Sequence, residues 1–284
     1  MRTTRRTLVP AAAAVTAAVM MTAGCAGDAA DGAAQGVGQT SAGITTLRVG
    51  ASPVPHAEIL EFVDAELAAG AGLDLEVVTF DDYVLPNRAL VEGELDANYF
   101  QHVPYLESQV DQQGWELGHT AGIHIEPYGL YASGATSVDA LPAGATIGVT
   151  NDPGNQPRAL RLLADAGLIT LAETDGEPTL FDVEDAGRGV ELVETAPEQL
   201  VRSLEDLDAA VINGNYALEA GLNPATDAIH LEDGEDNPFA NVLAFRAEDD
   251  GDPALAALDD LLHSADVRAF IAERWPAGEV LPAS

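Results

Sequence analysis

From Thr45 onward the chain alternates short apolar runs with amphipathic stretches, and each apolar run stops at a cluster of polar residues. "TTLRVGA" has strand character, and "PHAEILEFVDAELAAGAG" sets Ile59, Phe62, Val63 and Leu67 on one helical face before glycines end it. "LDLEVVTF" is a strand again. The order returns in "ATIGVT" at 145–150, in a helix begun by Pro157 and ended near Gly167, in "GVELVE", in the helix "APEQLVRSLED" and in the strand "DAAVIN". That second helix turns Leu160, Leu163 and Ala166 inward, and the C-terminal stretch with Leu255, Leu258, Leu262, Val267 and Phe270 reads as one or two helices. Alternation of this kind predicts an α/β fold with mainly parallel sheets. No internal repeat interrupts it.

Parallel sheets gather function at the carboxyl ends of their strands. The polar clusters fall there: "FDDY", "NYFQH", "NDPGNQPR" and "NGN". In "NDPGNQPRAL" a Gly/Pro turn feeds a helix start, and its free N–H groups together with Arg158 favour an anion such as a carboxylate. The competing reading of Arg158 is a surface cation on a first helical turn. "ANYFQHVPYL", 97–106, concentrates Tyr99, Phe100, His102 and Tyr105 in a chain that is only 5% aromatic, which suits either a core anchor or a ligand wall. Strand alternation points Tyr99 away from Phe100, into the core. His56, His119, His124, His230 and His263 are scattered, with no second ligand at a metal spacing, so neither a metal nor a cofactor is expected. Asp81 and Asp82 read as a solvated pair.

The 284 residues suffice for two lobes, and 47% hydrophobic content suffices for their cores. Forty-seven acidic residues against 12 basic ones, a formal charge of −35, exclude nucleic acid as a partner, because phosphate binding needs a basic footprint. Every basic residue is Arg and none is Lys, which a GC-rich genome or an acidic surface suited to high salt would each produce.

The single cysteine, Cys25, rules out a disulfide framework. It ends a basic "MRTTRR" segment and an uncharged small-residue run, the order of an export signal. The junction "TAGC" resembles a bacterial lipobox, with Thr22 where Leu is usual, and "TRRTLV" resembles a twin-arginine motif. The Ala-rich run, interrupted by Pro10, is a poor membrane span, so acyl chains on Cys25 are the expected anchor. Residues 26–43 hold almost no large apolar side chain and read as a flexible tether.

"PHAEIL", "DYVLPN", "LDANYFQHVPYL", "NDPGNQPRALRLL", "GLITL", "AVINGNYALEAGL" and "NPFANV" stand in one order from about Leu47 to the C-terminus. In that order they resemble the NlpA/MetQ family, the methionine-binding lipoproteins of ABC importers. The resemblance implies a two-lobed, periplasmic-binding-protein fold of the type II, venus-flytrap kind. It would comprise a signal peptide at 1–24, a tether at 25–44 from lipidated Cys25, one lobe from 45–127 plus 241–284 and a second from 128–240. It also implies a site made of Tyr83, Phe100, His102, Tyr105, Asn151, Arg158, Asn213 and Asn241. In it Tyr83, Phe100 and Tyr105 would cage a thioether, Arg158 and His102 would hold a carboxylate, and Asn213 and Asn241 an ammonium group. The implied partners are methionine, in its L or D form, the permease with its ATPase, and membrane lipid on the extracytoplasmic face. Pro157 and the acidic "EDGEDN" loop depart from the family pattern, as does the Lys-free surface. Two other readings stand beside this one. The same fold could bind a methionine-containing dipeptide or another amino acid. A membrane-anchored hydrolase is the enzyme reading, for which the sequence offers no G-x-S-x-G elbow, no H-E-x-x-H and no cysteine nucleophile in the mature fold.

Overall fold

A computed structural model of the chain describes residues 37–234 and 237–283. The export signal and Cys25 lie outside the described residues.

The expected alternation builds two large sheets, beside a two-stranded antiparallel pair of Ile169–Leu171 with Val183–Ala186. In the first, strand Ile44–Ala51 has Leu73–Thr79 on one side and Ala97–His102 on the other, both parallel to it. Helices Glu58–Glu66 and Leu85–Val91 make the crossovers that parallel neighbours require. In the second sheet Thr146–Thr150 lies parallel to Glu191–Thr195 and Ala209–Ile212, with helices Gln156–Asp165 and Leu200–Ser203 between them in sequence.

The expectation of mainly parallel sheets is corrected: both sheets are mixed, and antiparallel pairs outnumber parallel ones among the described residues. Strand Asn241–Arg246 follows the second sheet in sequence yet returns to the first, antiparallel to Ala97–His102 with Asn241 opposite His102. Gly129–Ala132 likewise runs antiparallel to Ala209–Ile212 and Ala228–Leu231. Alternation in sequence fixes which segments are strands but not the direction in which a returning strand enters.

Each sheet has its own core. Leu47, Val49, Ile59, Leu60, Val63 and Tyr99 pack with Leu255, Leu258, Leu262, Val267 and Ile271 of the C-terminal helices Pro253–Leu262 and Ala265–Arg274. Phe62 stacks on Phe270 with centroids 4.4 Å apart. Ile147, Val149, Leu160, Leu163 and Val211 form the core of the second sheet.

Part of the segment expected as a tether, from Val37 on, is folded. Val37 is buried in the first core, and its N–H donates to the Asp252 carboxylate at 3.0 Å. Gln39–Ser41 then pairs antiparallel with Ile44–Ala51 through a turn in which Ala42 and Gly43 both have positive φ, 53° and 84°. A two-residue turn of that hand matches the twist of the strands it joins, so a run poor in apolar side chains still folds as a hairpin.

Candidate functional site

The sheets meet with their strand ends facing one cavity. Of the eight residues expected at the site, Tyr83, Phe100, His102, Tyr105, Arg158, Asn213 and Asn241 line it. Asn151 does not; it is exposed, and its N–H continues the sheet by donating to Thr195 O at 3.0 Å. Asn155 lines the cavity from the same loop. Asp152 causes the exchange: its Oδ1 accepts from the N–H groups of Gly154 and Asn155, and its Oδ2 from Asn155 Nδ2 at 2.9 Å. This Asx turn rotates the chain and delivers the second asparagine inward.

One wall is aromatic. Tyr83 stands 5.9 Å from Phe100 and 5.7 Å from Tyr105, and the Phe100 and Tyr105 rings meet edge to face at 6.0 Å. The Tyr105 hydroxyl donates to Tyr83 O at 2.8 Å, and the Tyr83 hydroxyl donates to Asn215 Oδ1 at 2.5 Å, linking the two sheets' loops. Burial pushes the Tyr83 and Tyr105 phenols up, so both stay neutral donors. Tyr99 points into the core, as alternation requires.

Arg158 lines the same cavity. It is 5% exposed, and its guanidinium carbon lies over the rings of Tyr128, 4.8 Å from the centroid, and Phe239, 4.4 Å from the centroid. Its Nε and Nη2 bond the Glu232 carboxylate at 2.5–3.2 Å, and Nη2 also donates to Glu126 O at 3.0 Å. The Nη1 edge takes no part in those bonds.

His102 closes the Ala97–His102 strand and caps helix Val103–Gln113. Its Nδ1 accepts from Tyr105 N–H at 3.1 Å, which leaves the proton on Nε2, 2.9 Å from Asn155 Oδ1. Burial, assisted by Arg158, lowers its pKa to about 3, so the ring is neutral. Both nitrogens are thus engaged within the protein, and the carboxylate contact expected of His102 finds no free donor in this arrangement. Its bonds instead orient Asn155, which also accepts from Asn213 Nδ2 at 3.3 Å. Asn213 Oδ1 accepts from the Tyr128 hydroxyl at 3.2 Å, and Asn241 Oδ1 lies 3.2 Å from His56 Nε2.

The sequence reading missed several groups at the cavity. Glu126, Asn155, Gly214 and Asn215 line it. The description of the histidines as scattered is corrected for two of them: His56 Nε2 and His124 Nε2 stand 3.2 and 2.9 Å from Glu126 Oε1. All three side chains are buried, and their ligand-capable atoms lie within 4.8 Å of one another. His124 and Glu126 are two positions apart, and the fold brings the distant His56 to them. His119, His230 and His263 lie elsewhere, the last two paired with Asp165 and Asp259. Asn215 Nδ2 is a buried donor without a partner among the described residues.

The profile described as NlpA lipoprotein matches residues 47–284. The methionine-binding lipoprotein MetQ of Bacillus subtilis (strain 168) is 40% identical over 242 residues, covering 83% of this chain and 87% of its own. The D-methionine-binding lipoprotein MetQ of Escherichia coli (strain K12) is 40% identical over 216 residues, 75% of this chain and 79% of its own. Among solved structures, a nutrient binding protein from Burkholderia cenocepacia bound to methionine shares 40% identity with a TM-score of 0.80, over 84% of this chain and 100% of that one. A lipoprotein from Actinomyces odontolyticus shares 44% identity with a TM-score of 0.80, over 84% of this chain and 99% of that one.

Proposed function

The chain belongs to the NlpA lipoprotein family, and from that premise we propose that it is a binding protein, not an enzyme, which captures methionine between its sheets and delivers it to an ABC importer. The observation that carries the reading is that Arg158, set over the rings of Tyr128 and Phe239, lines one cavity together with Tyr83, Phe100 and Tyr105. A carboxylate reaches the Nη1 edge of Arg158, and Asn215 Nδ2 is available to a ligand oxygen. A thioether against the aromatic wall gains ~0.3–1.5 kcal/mol beyond its burial. Burial itself contributes roughly 1.5–3 kcal/mol. Micromolar affinity needs about 8 kcal/mol, so the charged end of the amino acid supplies the remainder.

Permease subunits with their ATPase follow as partners from the family role. No described helix is long and apolar enough to cross a membrane. Acylation of Cys25 at the "TAGC" junction would hold the protein on the extracytoplasmic face. Cys25→Ser should release it from the membrane fraction without unfolding it, and a variant that remains membrane-bound removes the anchor from the proposal.

Native mass spectrometry of protein purified without refolding tests the ligand directly. A retained mass of methionine is expected; a dipeptide mass, or turnover of the bound molecule, would sink the proposal.

A further inference from the structure

Asn87, Asn98 and Gln101 are buried amides, 0, 0 and 2% exposed, and the scheme above gives none of them a role. A buried amide is costly unless its hydrogen bonds are made within the protein. These three make them with one another. Asn87 Nδ2 donates to Gln101 Oε1 at 2.8 Å, and Asn98 Nδ2 donates to Asn87 Oδ1 at 2.8 Å. Gln101 Nε2 donates to Asn87 Oδ1 at 2.7 Å and to Asn98 Oδ1 at 2.8 Å. Reversing any one amide would set oxygen against oxygen and N–H against N–H, so the three orientations fix one another.

Gln101 reaches the cavity wall, yet both of its amide protons are engaged by the two asparagines. It therefore has no N–H to offer a ligand, and the triad acts through the backbone it holds. That backbone is irregular. Gln101 pairs with Val242 but Tyr99 pairs with Leu243, so Phe100 is an extra residue, a β-bulge in Ala97–His102. Bulges beside binding sites re-aim side chains. Pairing continued one to one from Tyr99 and Leu243 would set Ala240 opposite His102, whereas the bulge sets Asn241 there, and both His102 and Asn241 line the cavity.

Asn98 and Gln101 stand on either side of the extra residue, and their side-chain bond spans it. Asn87 ties that bridge to the first turn of helix Leu85–Val91, just beyond Tyr83. We propose that Asn87, Asn98 and Gln101 are positioning residues of the ligand site: they hold the bulge that aims the Phe100 ring and anchor to it the helix that follows Tyr83, so that the aromatic wall keeps the shape that prefers a thioether. The proposal rests on the methionine reading.

Calorimetry on the full chain in detergent, with methionine and its isostere norleucine, tests it. Gln101→Leu, which removes both bonds made by Nε2 and leaves Asn98 bonded to Asn87, should weaken methionine roughly ten-fold and narrow its preference over norleucine roughly two- to five-fold. That narrowing should vanish when Phe100 is already alanine, because a positioning residue acts only through the ring it places. Asn98→Leu breaks the bond across the bulge, should act in the same way, and serves if the Gln101 variant does not fold. A crystal structure of either variant, with no ligand added, should show the Phe100 ring displaced and the pairing of His102 with Asn241 lost. A lower melting temperature with an unchanged ratio would assign the triad to folding alone and overturn the proposal. An intact bulge in the variants would overturn it too, as would a narrowing that adds in full to that of Phe100→Ala. A parent that binds no methionine rejects the methionine reading itself, whereas methionine binding with an unchanged ratio rejects only the role of the triad.

Discussion

Gly154 lies directly against Tyr105: a Cβ on the glycine would stand 2.9 Å from Tyr105 Cα and 3.0 Å from its ring. One residue belongs to the loop after Thr146–Thr150 and the other to the helix after Ala97–His102, so the approach of the two sheets over the cavity needs a residue without a side chain. Overpacking against backbone costs about 1–3 kcal/mol. Gly154→Ala should therefore weaken methionine binding roughly ten-fold and shift scattering profiles toward an open form. Gly134→Ala, where nothing lies within 4 Å, is the control and should change neither.

Arg158→Ala should cost about 2–5 kcal/mol of binding, because the ligand's carboxylate would be enclosed without its partner. The loss is compound, since Glu232 is also left unpaired. Adding Glu232→Gln separates the two: the double variant should recover thermal stability but not affinity. Lys at 158 should rescue only partly, as it lacks a planar fork that can serve Glu232, Glu126 O and a ligand together. Calorimetry and melting curves on the same preparations check all three outcomes.

Phe100→Ala should weaken methionine through lost packing and narrow its preference over norleucine by roughly two- to ten-fold, the measure of sulfur against the ring. Glutamate should bind far more weakly than methionine in the parent, because the aromatic wall offers a second carboxylate no partner. Competition titrations decide both; glutamate displacing methionine would refute the assignment of Tyr83, Phe100 and Tyr105 to the side chain.

Much of this was legible in the sequence, for identifiable reasons. Period-two alternation placed Phe100 and His102 on one face and Tyr99 on the other, and that is how the strand lies. Arg158 follows a polar Gly/Pro turn, a local signal with a local consequence. Glu126, His56 and His124 carried no such signal, because their meaning arises only when a strand end is folded against a distant helix start. Asn155 was hidden by Asn151: composition alone does not show which of two asparagines an Asx turn swings inward. The early hairpin escaped notice because its stability comes from turn geometry and one buried valine, not from a run of apolar residues.

The three histidines buried around the cavity should make stability strongly dependent on pH. Burial holds His56 at about 4 and His102 and His124 at about 3, all below the value near 6.5 of an unfolded chain. Below about pH 6.5 the unfolded chain takes up three protons that the folded chain refuses, so stability present at neutral pH is lost as pH falls toward 4 and then 3. Each group contributes at most about 1.4 kcal/mol per pH unit, hence a ceiling of roughly 4 kcal/mol per unit for the three together. Glu126 and Asp152, whose carboxyls burial pushes up, act in the opposite direction and reduce the slope. Melting temperature should therefore drop steeply between pH 6 and 4.5, and His102→Gln, which keeps a side-chain donor toward Asn155, should flatten that drop by about a third. A melting temperature constant over this range would mean that the three imidazoles are not held neutral.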